Sequence, residues 1–149
     1  MDQLKERIKD DMKASMKSGE KVRLGVIRMI LAAIKQVEVD ERIELDDARI
    51  ITVLDKMLKQ RRESIKQYTD AGRLDLSAIE EAEVVVIQEF LPQALTEVEI
   101  DQMVSAAIAE TGASSIKEMG AVMALLRPQM LGRADMAVVS ARIKAGFAG

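Results

Sequence analysis

The stretch Met119-Gly120-Ala121-Val122-Met123-Ala124-Leu125-Leu126-Arg127-Pro128-Gln129-Met130-Leu131-Gly132-Arg133-Ala134-Asp135 sets how the rest of the chain is read. It is an apolar helical run, an interruption at Pro128, a stop at Gly132 and a new start at Asp135. Proline lacks the N–H that a continuing helix donates, so the sequence predicts a bend or restart at Pro128. Gly132 can take the left-handed conformation that closes a helix, and Asp135 can accept from the free N–H groups of the next one. Those N–H groups and Arg133 make an electropositive corner suited to an anionic oxygen such as a phosphate. The same residues also read as a plain connector with Arg133 solvated, because caps are far commoner than phosphate sites.

Outward from this stretch, helical periodicity dominates and no period-2 segment competes with it. Leu4, Ile8, Met12 and Met16 recur every four residues behind an Asp2 cap, and Gly19 ends the run. Val22, Val26, Ile27, Ile30, Leu31, Ile34 and Val37 form the face of a second helix. Glu38 to Glu44 reads as a charged connector, with Asp46 or Asp47 capping the next helix. That third helix is expected from about Ala48 to Ala71, stopped by Gly72, and the fourth from about Leu76 to Phe90. Arg61 interrupts the apolar line Ile50, Leu54, Met57, Leu58, Ile65 and Tyr68. Glu83 interrupts Leu76, Ile79, Val86, Ile87 and Phe90. If the two helices fold antiparallel these charges meet, and a charge in an apolar seam needs a partner. Alternatively, Arg61 lays its stem along the seam and lifts its head into water.

Leu91-Pro92 marks a domain boundary, since the residue before proline disfavours helix. Beyond it, Thr96 and Glu99 form a capping box, and Ser115 with Glu118 forms a second. The expected fold class is all-α with two small helical domains. Residues 1–92 form a bundle of about four helices and residues 93–149 a domain of about three short ones.

The 149 residues suffice for a buried core. They include no Cys and no His, which excludes a disulfide framework, a thiolate nucleophile, a His-based triad and a His/Cys metal site. No apolar run approaches membrane-spanning length, so no membrane is expected, and the composition suits the cytoplasm. The net charge of −3 conceals blocks: +3 over residues 1–73, −9 over 74–110 and +3 over 111–149. Any nucleic-acid contact must therefore be local.

One candidate patch is Lys59, Arg62 and Lys66 at i, i+3 and i+7, with Lys56 nearby. These could hold a phosphate backbone, or form a solvated face complementary to the acidic fourth helix. Tyr68, Phe90 and Phe147 are the only aromatics, and two lie on core stripes. Base stacking is thus disfavoured, and an RNA ligand would be gripped by backbone and shape. The 10 methionines read as core filler first and as a docking groove second. No cofactor is implied.

Several motifs together resemble the YqeY family. They are Lys59-Gln60-Arg61-Arg62-Glu63-Ser64-Ile65, Gly72-Arg73 with Asp75-Leu76, Glu80 with Glu83, Phe90-Leu91-Pro92, Met119-Gly120 with Val122-Met123, and Gly132-Arg133-Ala134-Asp135. The family shares its fold with the C-terminal part of GatB, a subunit of the tRNA-dependent amidotransferase. The resemblance implies two all-helical domains and an accessory module that contacts tRNA, or associates with an amidotransferase or another translation-related protein. Lys117, Arg127, Arg133, Arg142 and Lys144 are the expected contacts, with Arg133 central. Two alternatives stay open: a protein–protein adaptor with a Met-rich C-terminal docking surface, and the carbon–nitrogen ligase activity with glutamine as amide donor that the family label implies.

No nucleophile–base set is legible in the sequence. The purified chain is therefore expected to release no ammonia from glutamine, and glutamine-dependent ammonia formation by protein free of contaminating enzymes would overturn this reading.

Overall fold

The computed structural model describes residues 3–148, with the side chains of 3–147, and the protein is all-α. It comprises two compact units that meet in sequence at Pro92 and Gln93. The first contains α1 (Leu4–Ser18), α2 (Lys21–Glu41), α3 (Asp47–Asp70) and α4 (Leu74–Glu89). The second contains α5 (Glu97–Thr111), a 3₁₀ turn (Ile116–Glu118), α6 (Met119–Met130) and α7 (Met136–Ala148).

The core of the first unit gathers Ile8 of α1, Val26, Ile27, Ile30 and Ile34 of α2, Ile50 and Leu54 of α3 and Ile87 of α4. Each fully buried aliphatic side chain stabilises the fold by about 1.5–3 kcal/mol relative to exposure. Three residues assigned to apolar faces lie outside it: Met16, Val22 and Ile79 are exposed. The second helix is also longer than expected. It runs through Glu38 to Glu41 and ends at Arg42, whose φ of +56° is left-handed. Its charged end is kept helical by tertiary contacts. The Glu38 carboxylate accepts from Lys5 Nζ of α1 and from the Leu45 N–H, both at 2.9 Å, and these donors lower its pKa, the backbone N–H most.

Asp46 and Asp47 take different tasks. Asp46 caps its own helix, accepting from the Arg49 N–H at 2.9 Å. Asp47 accepts from the Leu4 N–H at 3.0 Å and so caps α1 from 43 positions away. The expected Asp2 cap lies outside the described residues.

A polar knot ties α1, α2 and α4. Arg23 of α2 donates through Nε to Asp11 Oδ1 at 2.8 Å and through Nη2 to Asp11 Oδ2 at 2.6 Å. Its Nη1 donates to the Glu89 carboxylate of α4. The hydroxyl of Ser15, itself buried, donates to Asp11 at 3.2 Å. Arg7 donates to the Glu89 carbonyl at 2.7 Å, and the guanidinium carbons of Arg7 and Arg23 lie 5.4 and 5.9 Å from the Phe90 ring centre. Charge-assisted, bidentate contacts of this kind are the strong ones.

Arg61 and Glu83 approach to 3.8 Å between α3 and α4, with side chains only 14% and 15% exposed. The head of Arg61 stays in the seam, where Nη1 donates to the Met57 carbonyl at 3.3 Å and Nη2 lies 3.6 Å from Met29 Sδ. Its Nε is buried without a hydrogen-bond partner.

The second unit packs Ile100, Val104, Val122, Leu126, Met130, Val139 and Ile143 into its own core. Thr96 and Glu99 form the expected capping box at 3.1 Å in both directions. Ser115 makes no such bond; the Glu118 carboxylate instead accepts from the Ser114 N–H at 3.2 Å. The expected break at Pro128 is also corrected, because α6 continues through it to Met130. Ala124, whose carbonyl would have received the missing N–H, is on the exposed face with Pro128, while Leu126 and Met130 hold the opposite face in the core. The helix ends in a turn: the Arg133 N–H donates to the Met130 carbonyl at 2.8 Å. Leu131 at φ −54°, ψ 122° and Gly132 at φ +72° fit a type II turn, whose third residue favours glycine. Asp135 then accepts from the Ala137 N–H at 2.9 Å, capping α7.

Two substitutions test these contacts through stability. Replacing Glu83 by Ala is expected to cost about 3 kcal/mol in urea unfolding, by stranding a covered arginine charge; a loss below about 0.5 kcal/mol would show a solvated pair. Arg23, and then Ser15, lower the Asp11 pKa against burial, which raises it. Its unfolded value is about 3.9, so its contribution is complete above that pH and fades as pH falls through the lower folded value. Asp11→Asn is expected to lose about 1.5 kcal/mol near neutrality. That deficit should narrow as the pH falls below the unfolded value, and a deficit independent of pH would rule out the ionic role.

Candidate nucleic-acid interface

The helical repeat of α3 divides its side chains between two tasks. Ile50, Leu54, Met57 and Leu58 are buried, and the opposite side presents Lys56, Lys59, Arg62 and Lys66. All four are exposed, and none has a hydrogen-bond or ion-pair partner among the described residues. Ten residues of helix place Lys56 and Lys66 about 15 Å apart along the axis. The acidic face of α4 does not neutralise the row, since Glu83 engages Arg61 and Asp75 engages Arg73. Most arginines elsewhere are committed: Arg23 to Asp11 and Glu89, Arg49 to Glu41, and Arg7 to a carbonyl.

The five cations expected in the second unit separate into two groups. Arg142 of α7 is bound to α5 through Asp101 and through Glu97 at 3.6 Å, and the Asp101 hydrogen bond is the first cause of its raised pKa. Arg133 is a clasp: Nε donates to the Gln93 carbonyl at 3.0 Å, while its own carbonyl accepts from the Leu95 N–H at 2.8 Å. These two bonds fasten residues 93–95 to the α6–α7 turn. Lys117 on the 3₁₀ turn, Arg127 on α6 and Lys144 on α7 are exposed, and none is paired among the described residues.

Another cationic row went unrecognised in the sequence. Lys21, Arg28 and Lys35 on α2 are exposed and likewise unpaired among the described residues. Their signal was present, in a seven-residue spacing and no acid between Lys21 and Val37. The C-terminal methionines contribute to the core of the second unit. Met130 is buried, and Met103, Met119, Met123 and Met136 pack against the core of the second unit. Of the serines, the two buried ones, Ser15 and Ser77, are bonded to Asp11 and Thr69, and neither hydroxyl has a lysine partner. No group of His, Cys, Asp or Glu among the described residues could hold a metal, and no helix among them is long and apolar enough to cross a membrane.

The sequence is similar to Altered inheritance of mitochondria protein 41, mitochondrial, of Lachancea thermotolerans, with 33% identity over 106 residues that cover 69% of this chain and 57% of that protein. The protein of the same name from Pyrenophora tritici-repentis is 30% identical over 141 residues, covering 93% and 77%. That from Saccharomyces cerevisiae is 30% identical over 100 residues, covering 65% and 54%. The chain spans about half the length of most of these curated relatives. The family described as Yqey-like protein matches residues 5–147. With a match that begins in α1 and ends in α7, this chain belongs to the YqeY-like family.

Proposed function

We propose that this YqeY-like protein is a non-catalytic accessory module that holds tRNA by its phosphate backbone and shape. The observation that carries the reading is the α3 row, four exposed cations with no carboxylate partner among the described residues. Lys117, Arg127 and Lys144 offer three further unpaired charges on the second unit. Cations held by neighbouring acids gain little from a phosphate, whereas free ones release condensed counterions from the nucleic acid. The resemblance to the GatB tail that the family motifs imply favours tRNA as the ligand and an amidotransferase or another translation protein as companion. The reading keeps the chain in the cytoplasm suggested by its composition; the relatives named above carry mitochondria in their names. A carbon–nitrogen ligase using glutamine has no residue set here to bear it, so catalysis is assigned to no residue. An adaptor role is the second reading, favoured by exposed apolar side chains such as Val22 and Ile79 on the first unit and Val98 and Ile116 on the second.

The test is binding of bulk tRNA measured against salt. The expected result is a logarithmic affinity that falls linearly with the logarithm of salt concentration. Neutralising Lys56, Lys59, Arg62 and Lys66 together should reduce that slope by about 0.7–0.9 for each phosphate the row neutralises. The triple variant at Lys117, Arg127 and Lys144 reports the second unit in the same way. Arg133→Ala should lower stability by about 1 kcal/mol, because it frees Gln93, and lower the slope by no more than the share of one phosphate. Absence of tRNA binding at low salt, or a slope untouched by both sets, overturns the proposal.

A further inference from the structure

The α2 and α4 helices leave an apolar groove of about 530 Å³ open on the first unit. Val22, Gly25 and Met29 form one wall, and Ala78, Ile79 and Ala82 the other. Val22 is 66% exposed and Ile79 59%, an unusual position for branched aliphatic side chains on one continuous surface. Gly25 adds an independent sign. It sits inside α2, where glycine costs about 1 kcal/mol relative to alanine. A Cβ there would meet nothing within 4 Å, so no neighbour inside the unit requires its absence. Close approach of an outside backbone would.

The walls carry opposite charge. From Lys21 to Val37, α2 has four basic residues and no acid; from Leu74 to Glu89, α4 has five acids and no base. Lys21 lines the groove, and Arg28 stands seven residues on along the same edge. Across from Arg28, Glu81 lies beside the lining residues Ala78 and Ala82. A helix seated in this groove needs acids over α2 and bases over α4. A second copy turned about an axis along the groove presents that pattern, with its α4 over α2 and its α2 over α4.

We propose that the α2–α4 groove is a two-fold interface between two copies of this chain, in which Arg28 of one copy faces Glu81 of the other. The full chain is expected to sediment as a concentration-dependent dimer. Val22→Asp with Ile79→Asp should raise the dissociation constant about a hundredfold, since each change is made twice across the axis. Both positions are exposed, so the variant's helical circular dichroism and its thermal unfolding under monomeric conditions should match the parent. Arg28→Glu and Glu81→Lys should each weaken the dimer about tenfold, and their combination should restore it. Three results would sink the proposal: a parent chain monomeric at several hundred micromolar, a dimer that survives the double Asp variant, or charge reversals that fail to rescue each other.

Discussion

One guanidinium governs the arrangement of the first unit. Arg23 satisfies Asp11 and Glu89 together only when α1, α2 and α4 stand in their final places. Hydrophobic burial is non-directional and tolerates sliding, whereas a planar fork of donors fixes both position and rotation. The Phe90 ring beside Arg7 and Arg23 adds attraction that depends on the same placement. Arg61 is a weaker counterpart at the α3–α4 seam, held by a long ionic contact and left with an unbonded Nε. The seam therefore tolerates a polar interruption without drawing specificity from it. An apolar pair of similar volume there would be neutral or stabilising.

The helices were legible because burial imposes a period. The third was expected within one residue of its observed ends, since Asp46 and Gly72 punctuate it and its apolar line faces one core. Misreadings arose where distant residues decide the local state. The end of α2 looks like a charged connector until Lys5 and Leu45 occupy Glu38, and neither is on that helix. Pro128 looks like a break until Leu126 and Met130 are seen anchoring the helix on both sides of it. Val22 and Ile79 satisfy the helical period yet lie just beyond the face that the core closes over.

The candidate interface was less legible, because a charge on paper is not an available charge. Arg133 and Arg142 stand in a basic segment and look free, but one holds Gln93 and the other pairs with α5. Their partners lie 40 and 41 residues away, beyond any local pattern. The α3 row could be read because its spacing is local. Its lack of acidic partners could not, since that depends on where Glu83 and Asp75 direct their carboxylates.

The placement of Asp47 has a consequence for the order in which the chain becomes structured. The first-turn N–H of α1 is satisfied by a carboxylate that leaves the ribosome 43 residues later. Until then α1 is a 15-residue helix with no other side-chain cap at its start among the described residues, a length that is marginal in water. Vectorial synthesis thus gives the first helix no early independence: it waits in a fraying equilibrium for the beginning of the third.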